Sequence, residues 1–190
     1  MAEEWVNFWG VIAAAFIGAL ALLATATMVQ GNFKADKLAE AKRDVFLGLV
    51  DHWMDYLMVV NTFRTNPQEE YREAIFHATK NLVSSLHKSS FISKPKTKKE
   101  VVLFTLNFTK KNIELNRIVN DWYGLKEQDQ RDLNYKLFQI LDGIGYEALD
   151  LQNLLRTELG ITNHPKIDSF LLGKQKEFAA EIKKILLGAV

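Results

Sequence analysis

The sequence predicts an all-α protein: one N-terminal transmembrane helix over 1–33, then a cytoplasmic α-helical bundle of about five helices over 34–190. Three observations predict it. Residues 5–33, WVNFWGVIAAAFIGALALLATATMVQGNF, are 29 positions with no ionisable side chain. Beyond them, apolar residues recur at helical spacing in every long segment, the mark of a helix with one buried face. No stretch alternates with period two beside a hairpin turn, so no sheet is expected.

A helix needs about 20 apolar residues to cross the hydrocarbon core, so 5–33 is long enough to span with some tilt. The competing reading is a cleaved signal peptide, because Ala24-Thr25-Ala26 imitates a small-residue cleavage site. A signal peptide calls for a basic start, and here the charged residues are Glu3 and Glu4. The C-terminal flank carries Lys34, Lys37, Lys42 and Arg43. The positive-inside rule therefore puts the N-terminus outside and the rest of the chain in the cytoplasm. Trp5 and Trp9 suit the interfacial aromatic belt on the outer side.

The membrane segment has two unlike faces. At 100° per residue, Asn7, Gly10, Ala14, Gly18, Ala21 and Thr25 lie within about 60° of one line. Trp5, Trp9, Ile12, Phe16, Leu20 and Leu23 lie opposite. Bulky residues suit lipid, and small ones let a second helix backbone approach, which predicts self-association along the small face. One helix per chain cannot enclose water, so an aqueous path would need a ring of several chains.

In the remainder, Val45, Leu49, Tyr56, Val59 and Phe63 form one row and Phe46, Val50, Trp53, Leu57 and Val60 a second, giving a helix over 34–63 with Lys37, Asp44, Asp51 and Asp55 on its wet face. Asn66-Pro67 punctuates, and a second helix runs from Pro67 to about Lys88 through Tyr71, Ile75, Ala78 and Leu82. Residues 89–99 read as a basic loop containing Pro95. A third helix is expected from about Thr97 to Trp122, ending near Gly124. The fourth, about 126–159, has a seam at Leu137, Leu141, Ile144, Ala148, Leu151 and Leu155. Gly160 closes it, and a final amphipathic helix covers 166–187 and packs within the bundle.

Composition excludes whole classes of chemistry. Cysteine is absent, which removes disulfides, thiolate nucleophiles, iron–sulfur clusters and Cys-type zinc sites. Residues 34–190 carry 24 basic and 21 acidic groups, too even for nucleic-acid binding by bulk charge. No Gly-rich phosphate loop, Glu-x-x-His pair or H-E-x-x-H motif occurs, and the sequence calls for no cofactor and no metal. His52, with Asp51 and Asp55, reads as a residue bordering the apolar stripe rather than a metal ligand. Lys94, Lys96, Lys98 and Lys99 are candidates for contact with RNA or anionic lipid, although basic loops are commonly just solvated.

One catalytic pattern remains. Arg72-Glu73-Ala74-Ile75-Phe76-His77 is an R-x4-H that resembles the R-x4–6-H motif of the HEPN family of helical bundles. That resemblance implies an RNA-cleaving site shared by two protomers, with Arg72 on the phosphate and His77 moving a proton at the 2′-hydroxyl. Glu73 departs from the polar residue usual after the Arg, and Glu73 with His77 also reads as an ordinary i,i+4 surface pair.

Taken with the single membrane helix and the small cytoplasmic bundle, the chain resembles the accessory membrane proteins of type VI-B CRISPR systems, which accompany an RNA-guided RNA-targeting nuclease. The resemblance implies a ring-shaped homo-oligomeric pore that depolarises the inner membrane and strengthens antiphage defence. The nuclease, or RNA, would be the activating signal. Asn7, Gly10, Ala14, Gly18, Ala21 and Thr25 would then line or pack the channel. A membrane-tethered HEPN-like ribonuclease and a non-catalytic membrane adaptor are the alternatives.

Overall fold

The computed structural model describes residues 33–122 and 125–186, all of them in helices or the short turns between. Five helices follow one another: α1 (Phe33–Thr65), α2 (Glu70–Ile92), α3 (Pro95–Asp121), α4 (Glu127–Glu158) and α5 (Pro165–Leu186). Among the described residues there is no strand, and no helix is long and apolar enough to cross a membrane. The expected membrane segment, with its small face and Trp5 and Trp9, lies outside the described residues except for Phe33.

Connections as short as these force neighbouring helices antiparallel, and the side-chain pairs between helices follow that order. His52 of α1 meets Ser85 of α2, Arg72 of α2 meets Asn120 of α3, Lys111 of α3 meets Glu147 of α4, and Lys42 of α1 meets Glu158 of α4. Helices α1 to α4 thus close into an up-down-up-down bundle. Helix α5 returns chiefly along α4.

The expected periodicity is what buries the core. Phe46, Leu49, Tyr56, Val60 and Phe63 of α1 are buried against Ile75, Leu82 and Leu86 of α2, Phe104, Phe108 and Leu115 of α3, and Leu137, Ile144, Leu151 and Leu155 of α4. Leu141 and Ala148 of the expected α4 seam are half-buried at its edge. At mid-height Trp53, Tyr56, Phe104 and Phe108 form an aromatic cluster, with Tyr56 and Phe108 edge to face at 5.1 Å. Such pairs contribute about 0.5–1.5 kcal/mol beyond the area they bury.

Helix ends correct the expected boundaries in three places. Helix α2 starts at Glu70 rather than Pro67, because residues 66–69 form the turn out of α1. Residues 89–99 are not a loop. Helix α2 continues to Ile92 with Ser89 and Ser90 buried, and α3 begins at Pro95, leaving Ser93 and Lys94 as the whole connection. Pro95 sits in the first turn, where its fixed φ suits a helix and its missing N–H costs nothing. Helix α5 likewise starts at Pro165, with the Ile167 and Asp168 N–H groups donating to the His164 carbonyl. The expected stop at Gly160 holds: φ is +77°, Ile161 N–H donates to the Arg156 carbonyl at 2.9 Å, and Gly160 N–H to that of Thr157 at 3.0 Å. This is a Schellman closure, which needs a left-handed residue after the helix.

Helix α5 packs less completely than expected. None of its described side chains is fully buried, and Ile167, Phe170 and Ile185 face outward. At Gly145 of α4 a Cβ would lie 3.0 Å from Nε2 of Gln175, the movable end of an α5 side chain.

Candidate functional site

Arg72 and His77 lie on one helix but do not converge. Five residues of α-helix separate two side chains by about 140° around the axis. Arg72 Nη1 donates to Glu69 Oε1 at 2.9 Å and Nη2 to Asn120 Oδ1, so the guanidinium ties the start of α2 to the end of α3. His77 Nε2 lies 3.5 Å from Glu73 Oε1, and its ring meets Phe76 edge-on at 5.7 Å. It is exposed, and both of these contacts lie within its own helix turn. A ribonuclease centre built across two protomers would have to draw Arg72 away from Glu69 and Asn120.

The basic candidates gather at one end of the bundle. Lys94 occupies the α2–α3 turn and Lys96, Lys98 and Lys99 the first turns of α3, all exposed. Close by is a buried polar centre that joins α1, the α2–α3 turn and α4, and nothing in the sequence marked it. Glu158, the last residue of α4, has a side chain only 2 % exposed. Its Oε1 accepts from the Lys42 ammonium and from the Lys94 backbone N–H at 3.1 Å, and its Oε2 accepts from Thr97 Oγ1 at 2.7 Å. Burial alone would raise this carboxyl. The hydrogen bonds from Lys42, Thr97 and Lys94, with the Lys42 charge, outweigh burial and hold it below the ordinary glutamate range. Lys42 is therefore not a solvated member of the basic flank after residue 33. Its side chain is 10 % exposed and committed to Glu158. Of its neighbours in that flank, Lys37 is exposed and Arg43 lies between Glu40 and Asp44.

His52 sits where the apolar stripe predicts. Nδ1 lies 2.6 Å from the Gly48 carbonyl and 2.8 Å from Ser85 Oγ. A carbonyl only accepts, so Nδ1 carries a proton and the ring is turned toward Ser85 of α2. Among the described residues no three His, Asp or Glu side chains converge as a metal site would need. A second buried polar link crosses the core, where Tyr56 Oη donates to Asn112 Oδ1 at 3.0 Å. Burial pushes the Tyr56 hydroxyl far above its usual range, so it stays a neutral donor.

No protein family, curated protein or solved structure matches the chain. The site therefore rests on its own geometry. That geometry assembles a structural ion pair beneath a basic turn, and it leaves the R-x4-H residues engaged with neighbours on their own bundle.

Proposed function

We propose that this chain is a single-pass inner-membrane protein that self-associates through residues 5–33 and opens the membrane as a homo-oligomeric pore, its helical bundle on the cytoplasmic side. The observation that carries the reading is the uncharged segment from Trp5 to Phe33, whose small residues Asn7, Gly10, Ala14, Gly18, Ala21 and Thr25 segregate to one side. The described part of α1 runs from Phe33, the last residue of that segment, so no further domain separates the two in the sequence. Val102, Leu106 and Ile113 add support: they are exposed and share one outward line of α3, a surface suited to contact between bundles. Depolarisation as a step in CRISPR-linked antiphage defence follows from the resemblance alone and belongs to the same proposal.

The test is the mass of the detergent-solubilised particle by light scattering, with conductance or dye entry in cells expressing the chain. A closed assembly of several subunits, with leakage lost in Gly18→Ile, is the expected result. A monomer or dimer, or leakage unchanged by Gly18→Ile, would overturn the pore.

A further inference from the structure

We infer that the end of the bundle formed by the α2–α3 turn is a contact surface for anionic phospholipid headgroups, with Phe91 entering the interface and the surrounding lysines binding phosphate. The inference rests on the membrane reading above and goes beyond it, because it names a second point at which the chain meets the bilayer.

Topology places the surface. The Glu158 centre joins Lys42 to the Lys94 N–H and to Thr97, so the α2–α3 turn lies beside the first turns of α1. Lys42 is nine residues beyond Phe33, a rise of about 14 Å along a helix. The apolar segment therefore joins the bundle at the end that carries this turn. A bilayer holding residues 5–33 would face it.

Charge agrees. Lys88, Lys94, Lys96, Lys98 and Lys99 are exposed, and Glu100 is the one acidic residue between positions 88 and 100. The nearest buried carboxylate, Glu158, is already paired to Lys42. On the adjoining helices the charges offset one another: Arg43 meets Asp44 and Glu40, and Asp168 meets Arg156. The first turn of α3 has no acidic residue, so its positive dipole end adds to the lysines. At the far end, Glu69, Glu70, Asp121, Asp129 and Asp132 are exposed alongside Arg117, Lys126 and Arg131, with Arg64 and Arg72 half-buried there, so acidic and basic groups offset one another. The bundle is thus basic toward the proposed membrane and mixed in charge away from it.

Phe91 turns a basic patch into an interfacial one. It stands in the last turn of α2 between Lys88 and Lys94 and is 89 % exposed, more than any other large apolar side chain described. An aromatic side chain held in water by a rigid helix gains by entering the headgroup boundary, where lysines beside it find phosphate. Single-stranded nucleic acid is the weaker candidate, since it calls for several stacking rings along a groove and this turn offers one.

A chain without cysteine allows a clean test. Full-length Phe91→Cys carrying a nitroxide is reconstituted into phosphatidylglycerol or phosphatidylcholine vesicles, and accessibility to oxygen and to a soluble nickel chelate is measured, with vesicle sedimentation alongside. A label at Asp129→Cys reports the far end. The expected result is a position-91 label shielded from nickel and open to oxygen in phosphatidylglycerol only. That shielding should be lost when Lys94, Lys96, Lys98 and Lys99 are all changed to Gln, with circular dichroism unchanged. Co-sedimentation with both vesicles but equal nickel access at position 91 would overturn the headgroup contact and leave the membrane reading standing. Failure to sediment with either vesicle would overturn both. Shielding by polyuridylate without shielding by phosphatidylglycerol would reassign the surface to RNA.

Discussion

Lys42 and Glu158 stand 116 positions apart and meet as a buried ion pair where α1, the α2–α3 turn and the end of α4 come together. The pair is a junction rather than a surface ornament, because the same carboxylate accepts from Lys94 N–H and Thr97. Removing one partner of a buried pair leaves the other charge uncompensated, at a cost of about 3–5 kcal/mol. Glu158→Ala is expected to destabilise the bundle by that order. Lys42→Met with Glu158→Leu should recover much of the loss, since apolar replacement of both partners is often neutral. Urea unfolding of the single and double variants measures the coupling, and additive losses would refute it.

The same carboxylate sets a pH dependence. Its folded pKa lies below the unfolded one, so its stabilisation is complete above the unfolded value of about 4.3 and is lost as pH falls through the folded value. Urea midpoints should drop on acidification below about pH 4.3, and Glu158→Gln should flatten that drop. Asp142 works in the opposite sense. Burial raises its carboxyl despite a hydrogen bond from Tyr146, so its contribution favours the fold at low pH and diminishes as pH rises through its folded value. Asp142→Asn is expected to raise the urea midpoint at neutral pH and leave it unchanged in acid.

Much of the bundle was legible because periodic burial is local. Ile75, Ala78 and Leu82, or Leu137, Ile144, Leu151 and Leu155, announce a buried face within a few turns, and the structure buries them. The basic stretch 89–99 misled because lysines and serines imply solvent. Ser89 and Ser90 are buried all the same, since a short side chain fits the closely packed turn where α2 meets α3. Glu158 was illegible for a different reason. Its partners come from two distant places in the chain, α1 and the α2–α3 turn, and nothing local distinguishes a carboxylate that will be buried from one that will be wet. Lys42 was counted only as one of four basic residues in the flank, and nothing local sets it apart from Lys37. Arg72 and His77 show the converse, a pattern visible in sequence whose two members the helix turns to different sides.

The two R-x4-H residues should separate in a melting experiment. Arg72 ties α2 to Asn120 of α3, so Arg72→Ala is expected to cost about 1 kcal/mol. His77 is 59 % exposed and pairs with Glu73 and Phe76 of its own helix turn, so His77→Ala should fall within about 0.5 kcal/mol of the parent. RNA cleavage abolished in His77→Ala at unchanged stability would restore the ribonuclease reading.

Across the core, Tyr56→Phe deletes one hydroxyl and leaves the aromatic cluster in place. Asn112 Oδ1 then keeps Thr79 Oγ1 at 3.4 Å, the weaker of its two donors. A net hydrogen bond is worth about 1 kcal/mol, and a buried acceptor left short of a donor pushes the loss toward the upper end of about 0.5–1.5 kcal/mol. Thermal unfolding checks it, and a variant as stable as the parent would mean that Asn112 finds another donor.

Gly160 gives a prediction that depends on backbone alone. A Cβ at this position would meet nothing within 4 Å, so packing does not forbid a side chain. The φ of +77° does, because an L-residue in the left-handed region crowds its own carbonyl. Gly160→Ala is expected to cost about 1–2 kcal/mol, and Gly160→Asn less, since asparagine tolerates that region. In a chain of this size each kcal/mol lowers the melting temperature by about 2–4 °C. Equal losses for Ala and Asn would point to a steric cause that the open surroundings of Gly160 do not supply.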